Sequence, residues 1–174
     1  DFREIQLEDL LRREPVQLNL NKISGYIHNK IVLVSGAGGS IGSELCRQIS
    51  KFSPKALVLV EYSENNLFQI ELELKEAFPN LTIYPELVDI KDRERLQRVF
   101  KQYRPQVVFH AAAYKHVPMM EKHPHSALRN NVIGTKNLVE LADEYTVETF
   151  IFISTDKAVQ PTSVMGATKR IGEM

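Results

Sequence analysis

Residues 31 to 42 read Ile31-Val32-Leu33-Val34-Ser35-Gly36-Ala37-Gly38-Gly39-Ser40-Ile41-Gly42, and this stretch decides the fold. The short β-branched run Ile31 to Val34 predicts a buried strand. After the glycines, Ile41, Leu45, Ile49 and Phe52 recur at helical spacing, which predicts the inner face of a helix ended by Pro54. Strand, glycine turn and helix in that order put backbone N–H groups at a helix N-terminus, where they can meet a pyrophosphate that only glycine lets so close. Gly36, Gly38, Gly39, Ser40, Ile41 and Gly42 are therefore expected to bind a cofactor. A ligand-free tight turn competes with this, but the strand before and the helix after favour the phosphate loop.

Working outward, short apolar runs alternate with amphipathic stretches. Ala56 to Val60 predicts a second strand, and Ser63 can cap a helix striped by Leu67, Ile70, Leu74 and Phe78 and stopped by Pro79. Leu81 to Val88 predicts a third strand. Leu96, Val99, Phe100 and Tyr103 line a third helix, Gln106 to Phe109 a fourth strand, Val132 to Leu141 part of a longer fourth helix, and Thr149 to Ile153 a fifth strand. Repeated strand–helix units of this kind predict a doubly wound parallel α/β domain over residues 30–174. Residues 1–29, with Leu7, Leu10 and Leu11, a break at Pro15, then Ile23 and Ile27, predict a helical leader packed on it. The helical pattern from Gly166 to Met174 stops without a capping glycine, which suggests a piece of a longer protein.

Composition removes several functions. The 174 residues are 43% apolar and carry 22 basic against 22 acidic side chains, with no basic block to neutralise a nucleic-acid backbone. Cys46 is the only cysteine, so neither a disulfide framework nor a zinc quartet can form within the chain, and a reducing, cytoplasmic setting fits. No apolar stretch reaches the roughly 18 to 20 residues of a membrane span. His116, His123 and His125 flank Pro118 and Pro124 in what reads as an irregular region, without a completing cysteine or carboxylate set, so no metal is expected.

Glu61, ending the second strand, can accept from the adenosine ribose hydroxyls and would repel a 2′-phosphate. No arginine in Glu61 to Asn66 offsets it, so NAD is preferred over NADP. Ser63 lies beside it in the expected cofactor set. Asp89 can accept from the adenine amino group while Ile90 packs on the ring, although Asp89 can equally cap a helix before Lys91. Ala111, Ala112 and Ala113 offer small side chains where the cofactor passes close to backbone.

The glycine loop, His110-Ala111-Ala112-Ala113 and Asn131-Val132-Ile133-Gly134-Thr135 together resemble the extended short-chain dehydrogenase/reductases. Three longer stretches, Gly36 to Ile49, Ala113-Tyr114-Lys115-His116-Val117-Pro118 and Ser154-Thr155-Asp156-Lys157-Ala158-Val159, look like the bacterial polysaccharide-biosynthesis branch of UDP-N-acetylglucosamine 4,6-dehydratases. The resemblance implies a Rossmann domain whose C-terminal, UDP-sugar-binding lobe is mostly absent, so that the fragment alone is inactive. It also implies a parent that can carry N-terminal membrane helices and sit at the inner face of the membrane. A homo-oligomer is expected.

The reaction implied is an internal redox cycle: hydride leaves C4 of the sugar, water is lost across C5 and C6, and the hydride returns to C6. By resemblance Thr155 bonds the C4 oxygen, Asp156 protonates the departing C6 hydroxyl, and Lys157 helps remove the C5 proton if burial and nearby cations lower its pKa. The plainer alternative makes Thr155 and Asp156 caps and leaves Lys157 solvated. Met165 and Lys169 stand where most of the superfamily has Tyr-x-x-x-Lys. A thioether has no proton to exchange, so Met165 cannot be that acid or base, while Lys169 can hold the nicotinamide ribose. Asp156 or a water relay then remains for the C4 hydroxyl proton. By resemblance Lys115 and Asn131 lie near the cofactor. A nucleotide-sugar 4-epimerase or reductase, and a dinucleotide-binding module without chemistry, are the competing functions.

Overall fold

A computed structural model describes residues 20–174; the stripe at Leu7, Leu10 and Leu11 and the break at Pro15 lie outside the described residues. The chain runs α1 (Leu20–Ile27), β1 (Ile31–Ser35), α2 (Ser40–Ser50), β2 (Ala56–Glu61), α3 (Glu64–Ala77), β3 (Ile83–Leu87), α4 (Arg93–Tyr103) and β4 (Val107–His110). It continues through α5 (Val117–Lys122), α6 (Pro124–Ala127), a π-helix (Leu128–Gly134), α7 (Thr135–Glu144), β5 (Thr149–Phe152), a 3-10 turn (Asp156–Ala158) and α8 (Val164–Gly172).

The strands form one parallel sheet in the order β3-β2-β1-β4-β5, with Ile31 of β1 beside Ala56 and Val32 beside Val107. Strand order reverses at β1 and β4, the crevice where open α/β sheets bind ligands beyond their carboxyl ends. Both faces are covered, which is why β2 is buried at every position. On one face Cys46, Ile49, Leu67, Ile70 and Leu74 pack on Val32, Val34, Leu57 and Leu59, joined by Ile27 of α1. On the other, Leu96, Val99, Phe100, Leu138 and Leu141 pack on Leu33, Val58, Val60 and Val108. Each fully buried leucine contributes on the order of 2 kcal/mol of apolar burial. Burial also pushes the Cys46 thiol up to about 12, leaving it a packing residue.

Several expectations are corrected. Ile41 is 53% exposed, because the face of α2 turned to the sheet is that of Gly42, Cys46 and Ile49. Helix α2 ends at Ser50, before Pro54, because Ser53 takes a left-handed conformation with φ 51°. Ser63 occupies the N-cap of α3 but its hydroxyl caps nothing; its backbone N–H is turned to Glu61 instead. Asp92, not Asp89, caps α4, accepting from the Arg95 N–H. β3 is shorter than Leu81 to Val88, and the segment around Pro118 and Pro124 forms two short helices. The fourth helix begins in π geometry, which no apolar spacing signals.

At the amino edge of the sheet Asn29, Ser53, Arg104 and Thr146 all have positive φ, of 56, 51, 48 and 54°. Each lies just before β1, β2, β4 or β5, so the same left-handed reversal feeds four of the strands.

Candidate active site

Two adjoining cavities open at the carboxyl edge of the sheet. The first is lined by Gly36, Gly39, Glu61, Asp89, Ile90 and Ala111 to Tyr114, among others. The second is lined by Ile41, Lys115, Ser154, Thr155, Lys157, Met165 and Lys169 among others, and shares Ala111, Ala113 and Tyr114 with the first.

The glycine loop is fixed by backbone contacts. Gly36 has φ 70° and donates to the Val60 carbonyl at 2.8 Å; a Cβ on it would lie 2.7 Å from the Ala112 Cα. A Cβ on Gly42 would lie 1.9 Å from the Gly36 oxygen. The N–H groups of Ser40, Ile41 and Gly42, which open α2, find no acceptor among the described residues. They are the donors that a helix start leaves for an anion. Lys115 reaches the same place, its Nζ donating to Ser40 Oγ at 3.1 Å.

Glu61 is buried at the carboxyl end of β2. Its Oε2 accepts from the Gly38 N–H at 3.0 Å, and its Oε1 from the N–H groups of Tyr62 and Ser63 at 3.0 and 3.1 Å. One carboxylate thus joins the glycine loop to the turn after β2. Gly38 and Ser63 contribute through these amides and do not line either cavity. Asp89 accepts from the Lys91 N–H at 2.9 Å and pairs with its Nζ at 2.8 Å, while Ile90 is buried against Gly134.

Asn131 meets the site through Tyr114. It is buried and lines neither cavity; its Oδ1 accepts from the Tyr114 N–H at 2.8 Å, and its Nδ2 donates to the Tyr114 carbonyl at 3.0 Å and to Thr168 Oγ1 at 3.0 Å. The π-helix turns Asn130 toward the first cavity instead. Asn131 acts on Tyr114, the residue between the two cavities.

In the second cavity the expected residues separate. Lys169 is 5% exposed, donates to the Ile153 carbonyl at 2.6 Å and lies 4.0 Å from the centroid of the Phe152 ring. Burial pulls its pKa down to about 8. Met165 is buried with Met120 and Ala127. Thr155 Oγ1 donates to Asp156 Oδ1 at 2.9 Å and accepts from the Lys157 N–H at 3.4 Å, as the plainer capping reading asks. The Asp156 side chain is 90% exposed and lies outside the cavity lining. The Thr155 hydroxyl and the Lys157 ammonium, 3.8 Å away, hold its carboxyl below the usual carboxylate range. Lys157 does line the cavity, but its side chain is 55% exposed and lacks the burial its expected role requires.

Tyr62, Asn66, Tyr114, Asn130 and Ser154 line the cavities without having been singled out from the sequence. Ser154 carried a signal, adjacency to Thr155; Tyr62 and Tyr114 lie in the connections after β2 and β4, and Asn66 and Asn130 on helices whose polar faces spacing does not single out. Among the described residues no three His, Cys, Asp or Glu side chains converge on a metal position, and no helix is long and apolar enough to cross a membrane.

Sheet order, glycine loop and carboxyl-edge cavities define a Rossmann-type domain of the extended short-chain dehydrogenase/reductase class. Residues 32–174 match the family model described as polysaccharide biosynthesis protein, and the chain belongs to that family. It is 52% identical over 174 residues to the probable polysaccharide biosynthesis protein EpsC of Bacillus subtilis (strain 168), covering 99% of this chain and 29% of that protein. It is 32% identical over 143 residues to a UDP-N-acetylglucosamine 4,6-dehydratase (inverting) of Campylobacter jejuni, covering 82% of this chain and 41% of that one. Among solved structures it resembles Pen from Bacillus thuringiensis, with TM-score 0.77 and 30% identity over 85% of this chain and 46% of that one. The chain therefore spans less than half the length of each of these relatives.

Proposed function

We propose that this chain is the NAD-binding part of a nucleotide-sugar 4,6-dehydratase that acts on UDP-N-acetylglucosamine in surface-polysaccharide synthesis on the cytoplasmic side of the membrane. The observation that carries the reading is one edge of the sheet on which the helix start at Ile41, the Glu61 side of the glycine loop and Lys169 border adjoining cavities that share Ala111, Ala113 and Tyr114. The residues fit a dinucleotide: bare glycine backbone and unused N–H donors suit a diphosphate, and Ile90 and Ala111 to Ala113 offer apolar walls.

NAD⁺, when bound, supplies the hydride acceptor. The chain's own residues bind and orient. Glu61, held by three amides, presents a carboxylate that accepts from ribose hydroxyls and disfavours a 2′-phosphate, which supports NAD over NADP. Lys115 adds positive charge beside the helix start, and Lys169 fixes the nicotinamide ribose. Thr155 holds the C4 oxygen of the sugar, Asp156 serves the C6 hydroxyl, and Lys157 helps remove the C5 proton only once bound sugar covers its exposed ammonium and lowers its pKa. Asp156 is ionised in its present contacts, so it must first take up a proton, such as the one the C4 hydroxyl releases on oxidation, before it gives one to the departing C6 hydroxyl. Met165 in place of a tyrosine speaks against a 4-epimerase or simple reductase, whose proton exchange would need that hydroxyl.

Incubating the full-length protein with UDP-N-acetylglucosamine is expected to yield a 4-keto-6-deoxy sugar by NMR; unchanged sugar with NAD still bound would favour a non-catalytic module. Calorimetry with both cofactors is expected to give tighter NAD⁺ binding, and a preference for NADP⁺ would defeat the role given to Glu61.

A further inference from the structure

His110 closes β4 and is 1% exposed, yet it lies outside both cavity linings. Its Nδ1 is 2.7 Å from Ser35 Oγ and its Nε2 is 2.8 Å from Thr135 Oγ1. The proton positions follow from the neighbours. The Thr135 hydroxyl donates to the Asn131 carbonyl at 2.6 Å, so its oxygen is left to accept and Nε2 carries the hydrogen. Nδ1 then accepts from the Ser35 hydroxyl. The imidazole ring also stacks on Phe152, with centroids 5.4 Å apart and planes at 30°, and this is the same ring that lies 4.0 Å from the Lys169 ammonium.

Each partner sits at a joint of the site. Ser35 immediately precedes Gly36, whose backbone is already wedged against Ala112. Thr135 directly follows the π-helix that sends Asn130 to one cavity and Asn131 to Tyr114. Phe152 precedes Ile153, which accepts from Lys169. Burial, with a smaller push from the Lys169 charge, drives the His110 pKa down to about 3, so the ring keeps this single neutral arrangement at ordinary pH. A residue serving only as core filler needs no polar atoms here, and a buried hydroxyl left without its partner is costly.

We propose that His110 is a positioning residue that ties the phosphate-cradling glycine loop to the π-helix and to the ring beneath Lys169, and so sets cofactor affinity without touching the cofactor. The inference rests on the dinucleotide reading of the site. On that reading NAD⁺ would span both cavities and depend on their relative placement, whereas AMP would need only the first.

The test is calorimetry of NAD⁺ and AMP binding, well below the melting temperature, for the protein and for His110→Phe, His110→Gln and Thr135→Val. Phenylalanine keeps the stack on Phe152 and drops both hydrogen bonds; it is expected to raise the NAD⁺ Kd about tenfold, part of what two lost buried hydrogen bonds are worth, while AMP shifts less than about twofold. Glutamine, able to donate to Thr135 and accept from Ser35, is expected to recover most of the loss. Thr135→Val, which leaves the imidazole in place, is expected to reproduce part of it even if the phenylalanine variant does not fold. Unchanged NAD⁺ affinity in folded variants would overturn the role, as would equal losses for NAD⁺ and AMP, the mark of general loosening. Failure of the unsubstituted protein to bind NAD⁺ would instead overturn the cofactor reading beneath it.

Discussion

Two carboxylates, Glu61 and Asp156, each follow or end a strand at the same edge of the sheet, and they are built in opposite ways. Glu61 is buried and receives three backbone N–H groups drawn from two loops. Asp156 is 90% exposed and held only by its sequence neighbours Thr155 and Lys157. The first is fixed by the tertiary fold, the second by a local turn. On the proposed reading the cofactor end of the site is thus organised in advance, while the end assigned to the sugar chemistry is held by local contacts alone. Lys169 falls between them, buried like Glu61 yet placed beside Thr155 and Lys157.

The sharpest way to break this contrast is at the loop that Glu61 holds. Gly42→Ala puts a methyl group 1.9 Å from the Gly36 oxygen, so the turn must open; NAD⁺ affinity by calorimetry is expected to fall at least about a hundredfold. If it is unchanged, the cradle is not organised in advance.

Lys169 tests the join between the two ends. Lys169→Met in the full-length protein is expected to lower kcat by about a hundredfold, the scale of a lost charged group near a proton-transfer centre. Because burial sets the native pKa near 8, the ammonium is lost as pH rises through that value, and turnover that needs the charge falls above about pH 8. Lys169→Arg, which stays charged, is expected to move that falling limb to higher pH. The same depressed pKa makes stability rise with pH between about 8 and the usual lysine value of 10.5, since in that window the unfolded chain binds more protons than the native one. Denaturant titrations at pH 8 and 10 check the sign.

The smallest effect is a control at the opposite edge of the sheet. Thr146 is β-branched with φ 54°, a conformation that asparagine tolerates better. Thr146→Asn is expected to stabilise the protein by about 0.5–1 kcal/mol in chemical denaturation and leave NAD⁺ affinity unchanged. A change in affinity would mean that the two edges of the sheet are coupled.

Much of this contrast was legible in the residues. The β-branched run before Gly36, the helical stripe Leu67, Ile70 and Leu74, and the position of Glu61 at a strand end reported local preference and burial, and the parallel sheet followed from their alternation. Two placements were not legible. Ile41 sits at apolar spacing but off the face of α2 that Gly42, Cys46 and Ile49 turn to the sheet. Asn131 was placed near the cofactor by its motif, while the π-helix sends it to Tyr114 and turns Asn130 to the cavity. One extra residue per turn moves a side chain to another face without altering the pattern of apolar residues.

Sequence alone determined the parallel α/β architecture, the phosphate-type loop and the strand-end carboxylate, because each rests on periodicity or on the backbone freedom of glycine, properties carried by a few adjacent residues. Only the tertiary structure decided which asparagine faces the cavity, how exposed Asp156 and Lys157 are, and that His110 links Ser35, Thr135 and Phe152. Those facts arise where separate strands and helices meet, and burial and hydrogen-bond partners are set there by residues far apart in the chain.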